Sequence, residues 1–170
     1  MKFVTLTPDH IRPLLDFEVR NKAWFESKIS ARPDTFYSKE GVQAHVEQLI
    51  QQMNEGKVYA ALVMENDKII ARANLKDIRN NTGYVGYRVG EHFGGRGVAS
   101  FCMANLIKVA REELNLKALY GQVLSNNPAS LRVLTKHNFE VLKELENYIT
   151  LNGELLNCTE LVLNDFALTQ

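Results

Sequence analysis

The sequence predicts one mixed α/β domain over residues 1–170, with a mostly antiparallel sheet of about seven strands and about four helices. Short links join the strand-like runs that begin at Val58, Lys68 and Gly83, as in an antiparallel meander. A helical pattern then separates the Gly83 run from the next strand, which allows a right-handed parallel crossover. Near the end of the chain, Asn152-Gly153 lies between two strand-like runs and predicts a tight hairpin.

The first part of the chain carries a strand, two helices and an irregular segment between the helices. Residues 2–7 have the composition of a strand, and Pro8 is typical of a first helical turn. Ser38 is suited to cap the second helix, whose apolar residues keep a helical period until Gly56. The segment 21–37 has no clear period but many aromatic residues, so we expect it to form one wall of a cleft.

Strands and helices alternate in the second part. A 3.6-residue apolar period follows Gly97, and Asn127-Pro128 combines an N-cap with a first-turn proline, so each position begins a helix. Asn138 is suited to end the second of these helices because Asn tolerates the left-handed conformation. The strands are expected at residues 58–64, 68–78, 83–89, 118–124, 139–151 and 154–163.

Composition limits the partners and location of this domain. Twenty Lys and Arg balance twenty Asp and Glu, which argues against nucleic acid as a partner. The two cysteines and four histidines lack metal-binding spacing, so we expect no metal. The longest apolar run, residues 58–64, is far shorter than the roughly 20 residues of a membrane-spanning helix. Because the N-terminus also lacks an apolar segment of signal length, we expect a cytoplasmic protein without a membrane partner.

A glycine-rich turn, Gly94-Gly95-Arg96-Gly97, joins the strand at residues 83–89 to a helix. Its glycines remove the Cβ atoms that would block a ligand. The free N–H groups at the helix start then favour an anion, above all a phosphate. Arg96 adds a full positive charge beside them.

Two nucleotide-binding motifs are alternative interpretations of this turn. Gly95-x-Gly97-x-x-Ser100 resembles a dinucleotide fingerprint, but the next strand ends in Ser125-Asn126 without the required carboxylate. A P-loop requires Gly-Lys-Ser/Thr, whereas Val98-Ala99 follows Gly97. Both alternatives are therefore disfavoured.

A second motif runs from Ser125 to Phe139, directly after the strand at residues 118–124. That strand is expected to lie parallel to the strand at residues 83–89. Two parallel strands that diverge at their carboxyl ends open a slot in which α/β sheets bind ligands. Asn126 and Asn127 follow the strand at this slot, where their amides can donate and accept hydrogen bonds.

Together the two motifs resemble those of the GCN5-related N-acetyltransferase (GNAT) superfamily. The glycine-rich turn is similar to its acetyl-CoA loop, Gln/Arg-x-x-Gly-x-Gly/Ala, with Gly97 and Ala99 matching and Gly94 at the Gln/Arg position. The second motif is similar to the family's Asn-x-x-Ser…Lys-x-Gly-Phe element, with Asn138 in place of Gly. The matching residues in that element are Asn127, Ser130, Lys136 and Phe139.

Further segments resemble the ribosomal-protein N-terminal acetyltransferase (RimJ/RimL-type) branch of that superfamily. They are Arg32 to Tyr37, Asn74-Leu75 and the Asn152-Gly153 hairpin. The resemblance implies a GNAT-like sheet whose two central parallel strands splay to form a slot for acetyl-CoA. The N–H of Val89 is then expected to stabilise the oxyanion. The expected cosubstrate contacts are Tyr87, Arg88, Val89, Gly94, Gly95, Arg96, Gly97, Val98, Ala99, Ser100, Asn126, Asn127, Ser130 and Lys136.

The resemblance also implies that Ser130 serves the departing thiolate. Leu134 stands at the position of the superfamily's catalytic tyrosine, and Ile149 at that of the branch's catalytic glutamate, so the general base lies elsewhere. Glu26, in the aromatic segment, is the first candidate and Tyr84 a second. The acceptor is expected to contact Trp24, Phe25, Asn74 and Tyr148.

These features predict an acetyl-CoA-dependent N-acetyltransferase that acts by direct attack of a primary amine, which the branch resemblance makes a protein N-terminal α-amine. One alternative is acetylation of a small amine. A second is a non-catalytic acyl-CoA-binding module, favoured by Leu134 and Ile149, and a third is a dinucleotide enzyme. The protein is expected to be a monomer or a homodimer.

Overall fold

Seven strands form one sheet in a computed structural model that describes residues 1–164, and their order is β1-β2-β3-β4-β5-β7-β6. The strands are β1 Lys2–Thr5, β2 Tyr59–Glu65, β3 Lys68–Arg79, β4 Thr82–Val89, β5 Ala118–Leu124, β6 Glu140–Leu151 and β7 Glu154–Asn164. The α-helices are α1 Ile11–Arg20, α2 Lys22–Glu26, α3 Lys39–Asn54, α4 Val98–Glu112 and α5 Pro128–Lys136. The predicted mixed, mostly antiparallel fold is confirmed.

The described residues contain one α-helix more than the sequence predicts. The additional helix, α2, has five residues, which is too short to show an apolar period. The predicted single domain extends to residue 170, and residues 165–170 lie outside the described part.

The parallel pair β4 and β5 determines where a ligand can enter the sheet. Their register covers Thr82–Tyr84 against Ala118–Tyr120 and goes no further within the described residues. The strands then diverge, as the sequence predicts, while β5 remains paired with β7 through its other edge along its whole length. At the β6–β7 turn, Asn152 and Gly153 have φ angles of 49° and 79°, the conformation of the predicted tight hairpin.

Helices cover the two faces of the sheet unequally. The helices α1, α2 and α3 pack over β2 and β3 on one face, and α4 and α5 pack on the other. Alternation along β4 therefore sends Tyr87 towards α5 and Arg88 towards α1. No helix within residues 1–164 is long and apolar enough to cross a membrane.

Candidate active site

A cavity of about 490 Å3 opens where β4 and β5 diverge. One wall comes from α2 and the residues after it, and the other from the start of α4 and from α5. The predicted residues that line it are Trp24, Phe25, Tyr87, Arg88, Val89, Gly94, Gly95, Gly97, Val98, Ala99, Ser100, Asn127, Ser130 and Lys136. The structure thus brings most of the predicted cosubstrate contacts to one place.

The glycine-rich turn leaves the start of α4 open. Gly97 precedes this helix with a φ of 77°, and no side chain among the described residues caps it. Gly95 also has a left-handed φ, of 71°, and a Cβ at Gly94, Gly95 or Gly97 would meet empty space. The first amides of α4 are therefore available to an anion such as a diphosphate.

The cations near this turn differ from the expected arrangement. The Arg96 guanidinium donates to both carboxylate oxygens of Glu65 at 3.1 Å and lies over the Phe93 ring. Lys136 and Arg132, both on α5, line the cavity instead. The sequence analysis missed Arg132, although its i, i+4 spacing to Lys136 places both on one helix face.

Asn126 supplies a test of whether the slot suits coenzyme A. Its side-chain Oδ1 is buried and has no hydrogen-bond partner within residues 1–164. A buried acceptor without a donor is unfavourable, and an amide N–H from a pantetheine arm is a donor of the required type. Asn126 does not itself line the cavity, so the fit to coenzyme A depends mainly on the open amides at the start of α4.

Two hydroxyl groups meet on the α5 side of the cavity. Tyr87 Oη and Ser130 Oγ lie 2.5 Å apart. The side chain of Asn127 accepts from the Ser130 N–H at 3.2 Å and so caps α5 as predicted. Burial raises the pKa of Tyr87, and the bond to Ser130 offsets part of that rise. The pair is consequently neutral at physiological pH and has a proton to donate.

The indole of Trp24 fixes α2 against the end of β4. Its Nε1–H donates to the carbonyl oxygen of Val89 at 3.2 Å, across 65 positions of sequence. The residue predicted to supply the oxyanion N–H is therefore held by the residue predicted to contact the acceptor.

The remaining predicted acceptor and catalytic residues lie on the face of the sheet away from α4 and α5. Asn74 lies over Gly86, where a Cβ would come within 2.6 Å of the Asn74 Oδ1. The Tyr84 ring packs 5.4 Å from that of Tyr120. Tyr148 is 46% exposed, and its hydroxyl donates to Gln122 Oε1 at 3.4 Å.

Glu160, on β7, is the carboxylate buried among these groups. Its residue is 6% exposed, and Gln122, its cross-strand partner, donates to Oε2 at 3.0 Å. Lys143 Nζ lies 3.9 Å from Oε1. Burial, and then the charge of Glu160, raise the pKa of Tyr84. The sequence analysis missed Glu160, whose signal is an acid directly before the apolar run of residues 161–163.

Glu26, the first candidate base, does not line the cavity. Its carbonyl oxygen accepts from Asn152 Nδ2 at 3.2 Å, which joins the tip of the β6–β7 hairpin to α2. The bond to Asp34, and to a lesser extent the charge of Glu26, raise the pKa of Lys22, whereas burial and then the charge of Glu26 raise the pKa of Tyr37.

Comparison with known proteins places these features in context. The family model described as Acetyltransferase (GNAT) domain matches residues 1–140. The probable N-acetyltransferase YjcK of Bacillus subtilis is 23% identical over 157 residues, which cover 85% of this chain and 87% of that protein. The uncharacterized N-acetyltransferase p20 of Bacillus licheniformis is 28% identical over 117 residues, which cover 64% of this chain and 66% of that protein.

Solved structures share the fold at low identity. A ribosomal-protein-alanine acetyltransferase from Vibrio fischeri has a TM-score of 0.91 at 18% identity, covering 96% of this chain and 92% of that one. RimL, a ribosomal alpha-N-protein acetyltransferase in complex with coenzyme A, has a TM-score of 0.87 at 21% identity. The match covers 97% of this chain and 94% of that one. The spermidine N-acetyltransferase SpeG from Vibrio cholerae has a TM-score of 0.77 at 14% identity. The match covers 97% of this chain and 95% of that one.

Proposed function

The chain belongs to the GNAT acetyltransferase family and is an acetyl-CoA-dependent acyltransferase, and on that premise we propose that it acetylates the α-amine at the N-terminus of a protein. The observation that carries the reaction type is the divergence of β4 from β5 beside the open amides of α4. The likeness to ribosomal-protein acetyltransferases supports a protein N-terminus as the acceptor.

The start of α4 and the face of α5 hold the cosubstrate in this proposal. The amides from Gly95 to Ala99 bind its diphosphate, because N–H groups at a helix start attract anions. Arg132 and Lys136 add positive charge at the same end of the cavity. The edge of β4 beyond Tyr84, which β5 leaves unpaired, is free to pair with the extended pantetheine arm.

Val89 stabilises the charge that develops on the thioester carbonyl. Its N–H is the proposed donor to that oxygen, and a backbone donor needs no reorganisation during the reaction. The Trp24 bond to the Val89 carbonyl, in the next peptide group, holds the end of β4 in place.

In this proposal Glu160 receives the proton of the attacking amine through intervening water. An α-amine with a pKa of about 7.7–8.0 is mostly protonated at neutral pH and must lose a proton before it attacks. Glu160 is buried on the sheet face away from α4 and α5, where Gln122 donates to it and its charge acts on Tyr84. Neither Glu26 nor Glu160 lines the cavity, and we place the base at Glu160 because it is the buried carboxylate on the sheet face that carries Asn74 and Tyr84.

The hydroxyl pair of Tyr87 and Ser130 serves the leaving group. The new bond joins the amine nitrogen to the acetyl carbon, and the carbon–sulfur bond breaks. The sulfur leaves as a thiolate and takes a proton from the neutral Tyr87 hydroxyl, and the tyrosinate regains a proton from the solvent, which receives the second proton that the amine nitrogen loses.

Incubation with acetyl-CoA and separate panels of N-terminal peptides, lysine side-chain peptides and small amines tests this function. Free thiol measures turnover, and mass spectrometry locates the acetyl group. We expect acetylation of peptide α-amines above all other acceptors. Turnover only on small amines would support the alternative acceptor class. Binding of CoA without thiol release from any amine would support a non-catalytic module.

A further inference from the structure

A buried charged cluster lies beside the cavity, between α1, β3 and β4. Glu18 is fully buried, and Arg72 Nη1 donates to its Oε1 at 2.5 Å. Arg88 Nη1 lies 3.9 Å from the other oxygen of Glu18, which has no hydrogen-bond partner within residues 1–164. Arg72 and Arg88 are direct cross-strand partners, so Glu18 separates two like charges on one face of the sheet.

His45 adds no negative or positive charge to this cluster. Its Nε2 accepts from Arg72 Nη2 at 2.8 Å. Burial, followed by the charges of Arg72, Arg32 and Arg88, lowers the pKa of His45 to about 3. The imidazole is therefore neutral at physiological pH and serves only as an acceptor.

A third guanidinium, that of Arg32, leaves the cluster with excess positive charge. It lies 4.2 Å from the centre of the Phe36 ring, and its Nε is buried without a partner among the described residues. Burial and then the charge of Arg32 lower the pKa of Arg88 to about 10. Arg72 and Arg88 thus share the carboxylate of Glu18, and Arg32 has no ion pair within residues 1–164.

The excess charge reaches the acceptor end of the cavity through Arg88. This residue lines the cavity next to Val89, and Lys28 lines it on the α2 side. No Asp or Glu within residues 1–164 lines the cavity. A polycation would therefore meet like charge beside the thioester carbonyl, whereas an anion would be attracted.

We propose that Arg88, supported by Arg32, forms a subsite for a carboxylate that the acceptor carries close to its amine. This inference rests on the proposed function and names its substrate class, an acidic protein N-terminus. A guanidinium fork binds a carboxylate through two parallel hydrogen bonds, and in a partly buried site such a pair is stronger than in water. The ligand carboxylate would also compensate a charge that the protein alone leaves unbalanced.

Binding can be measured apart from turnover, because Trp24 is the only tryptophan of the chain and lines the cavity. Two pentapeptides with a free N-terminal serine, followed by Asp in one and Asn in the other, are titrated into the CoA-bound protein while tryptophan emission is recorded. We expect about tenfold tighter binding of the Asp peptide. Equal affinities, or tighter binding of spermidine than of the Asp peptide, would overturn the subsite.

Substitutions test whether the preference for the Asp peptide depends on the arginines of the cluster. Arg88→Gln should bring the two peptide affinities within about twofold, and Arg88→Lys, which keeps the charge but not the fork, should retain part of the difference. Arg32→Gln should reduce the preference by about threefold. Arg12→Gln, on the exposed side of α1, is the matched control and should leave the preference unchanged. An unchanged preference in Arg88→Gln and Arg32→Gln would contradict the proposal.

The two proposals fail in different ways. Tighter binding of the Asp peptide without acetylation of any peptide would contradict the proposed function and retain the subsite. Acetylation of both peptides at equal kcat/KM and equal affinity would contradict the subsite and retain the function.

Discussion

The hydroxyl groups of Tyr87 and Ser130 lie 2.5 Å apart and connect β4 to α5 across the wall of the cavity. Tyr87 comes from the strand that loses its parallel neighbour, and Ser130 from the first turn of a helix capped by Asn127. Both side chains line the cavity. The pair therefore lies where a leaving thiolate would be released.

Removal of either hydroxyl should slow acetyl transfer more than it weakens cosubstrate binding. We expect Tyr87→Phe and Ser130→Ala each to lower kcat by about 10- to 100-fold, the range of a general acid, with little change in the KM for acetyl-CoA. Because the two groups act as one unit, the double variant should be only slightly slower than the slower single variant. Steady-state thiol release measures all three. Multiplicative effects would show that the hydroxyls act separately.

Glu160→Gln should change the pH dependence of the reaction as well as its rate. The glutamine keeps the bond partner for Gln122 but accepts no proton from the amine. We expect kcat/KM to fall by about 100-fold at neutral pH and to recover as the pH rises through about 8, where the amine is already neutral.

The matched control for this variant is Glu146→Gln on the exposed part of β6, which should keep the parent profile from about pH 6 to about pH 9. A Glu160→Gln enzyme with the parent rate and profile would rule out this carboxylate as the base.

Gly97→Ala should weaken coenzyme A binding. The left-handed φ of 77° at this position costs about 1–2 kcal/mol for a residue with a Cβ, and relaxation would move the first amides of α4. We expect about tenfold weaker CoA binding in a calorimetric titration. Gly56→Ala, at a φ of 72° and with equally free space, should lose similar stability but keep the parent affinity.

His45 makes the protein sensitive to mild acid. The unfolded chain takes up this proton near pH 6.5, but the folded protein only near pH 3. Stability is therefore lost as the pH falls below 6.5, by at most about 1.4 kcal/mol per pH unit. Urea unfolding between about pH 7 and about pH 5 should show a shallower pH dependence for His45→Gln than for the parent. His92→Gln, at an exposed position, should behave as the parent.

Features with a local cause were predictable from the sequence. Ser38 accepts from the Gly41 N–H and caps α3, Asn138 has a left-handed φ of 68°, and the Asn152-Gly153 turn forms the hairpin. Each feature depends on the side chains of a few residues that are adjacent in the sequence, so the sequence alone is enough to predict it. The same holds for the open start of α4 after Gly97.

Features that depend on long-range register were not predictable. Glu160 reaches Gln122 only because β7 inserts between β5 and β6, which no local pattern reveals. The cluster around Glu18 likewise needs a helix and two strands to meet on one face. Arg96 lies in a glycine-rich turn, where the sequence predicts a phosphate ligand. The turn instead directs its side chain to Glu65 at the end of β2.

The bond from Asn152 to the carbonyl of Glu26 spans 126 positions and ties the hairpin tip to α2 by one contact at the surface. Because a hydrogen bond between exposed groups contributes little free energy, the hairpin tip can separate from α2 at small cost. Under the proposed function, a narrow chain end would pass beside this contact with less rearrangement of the hairpin than a lysine in the middle of a folded surface.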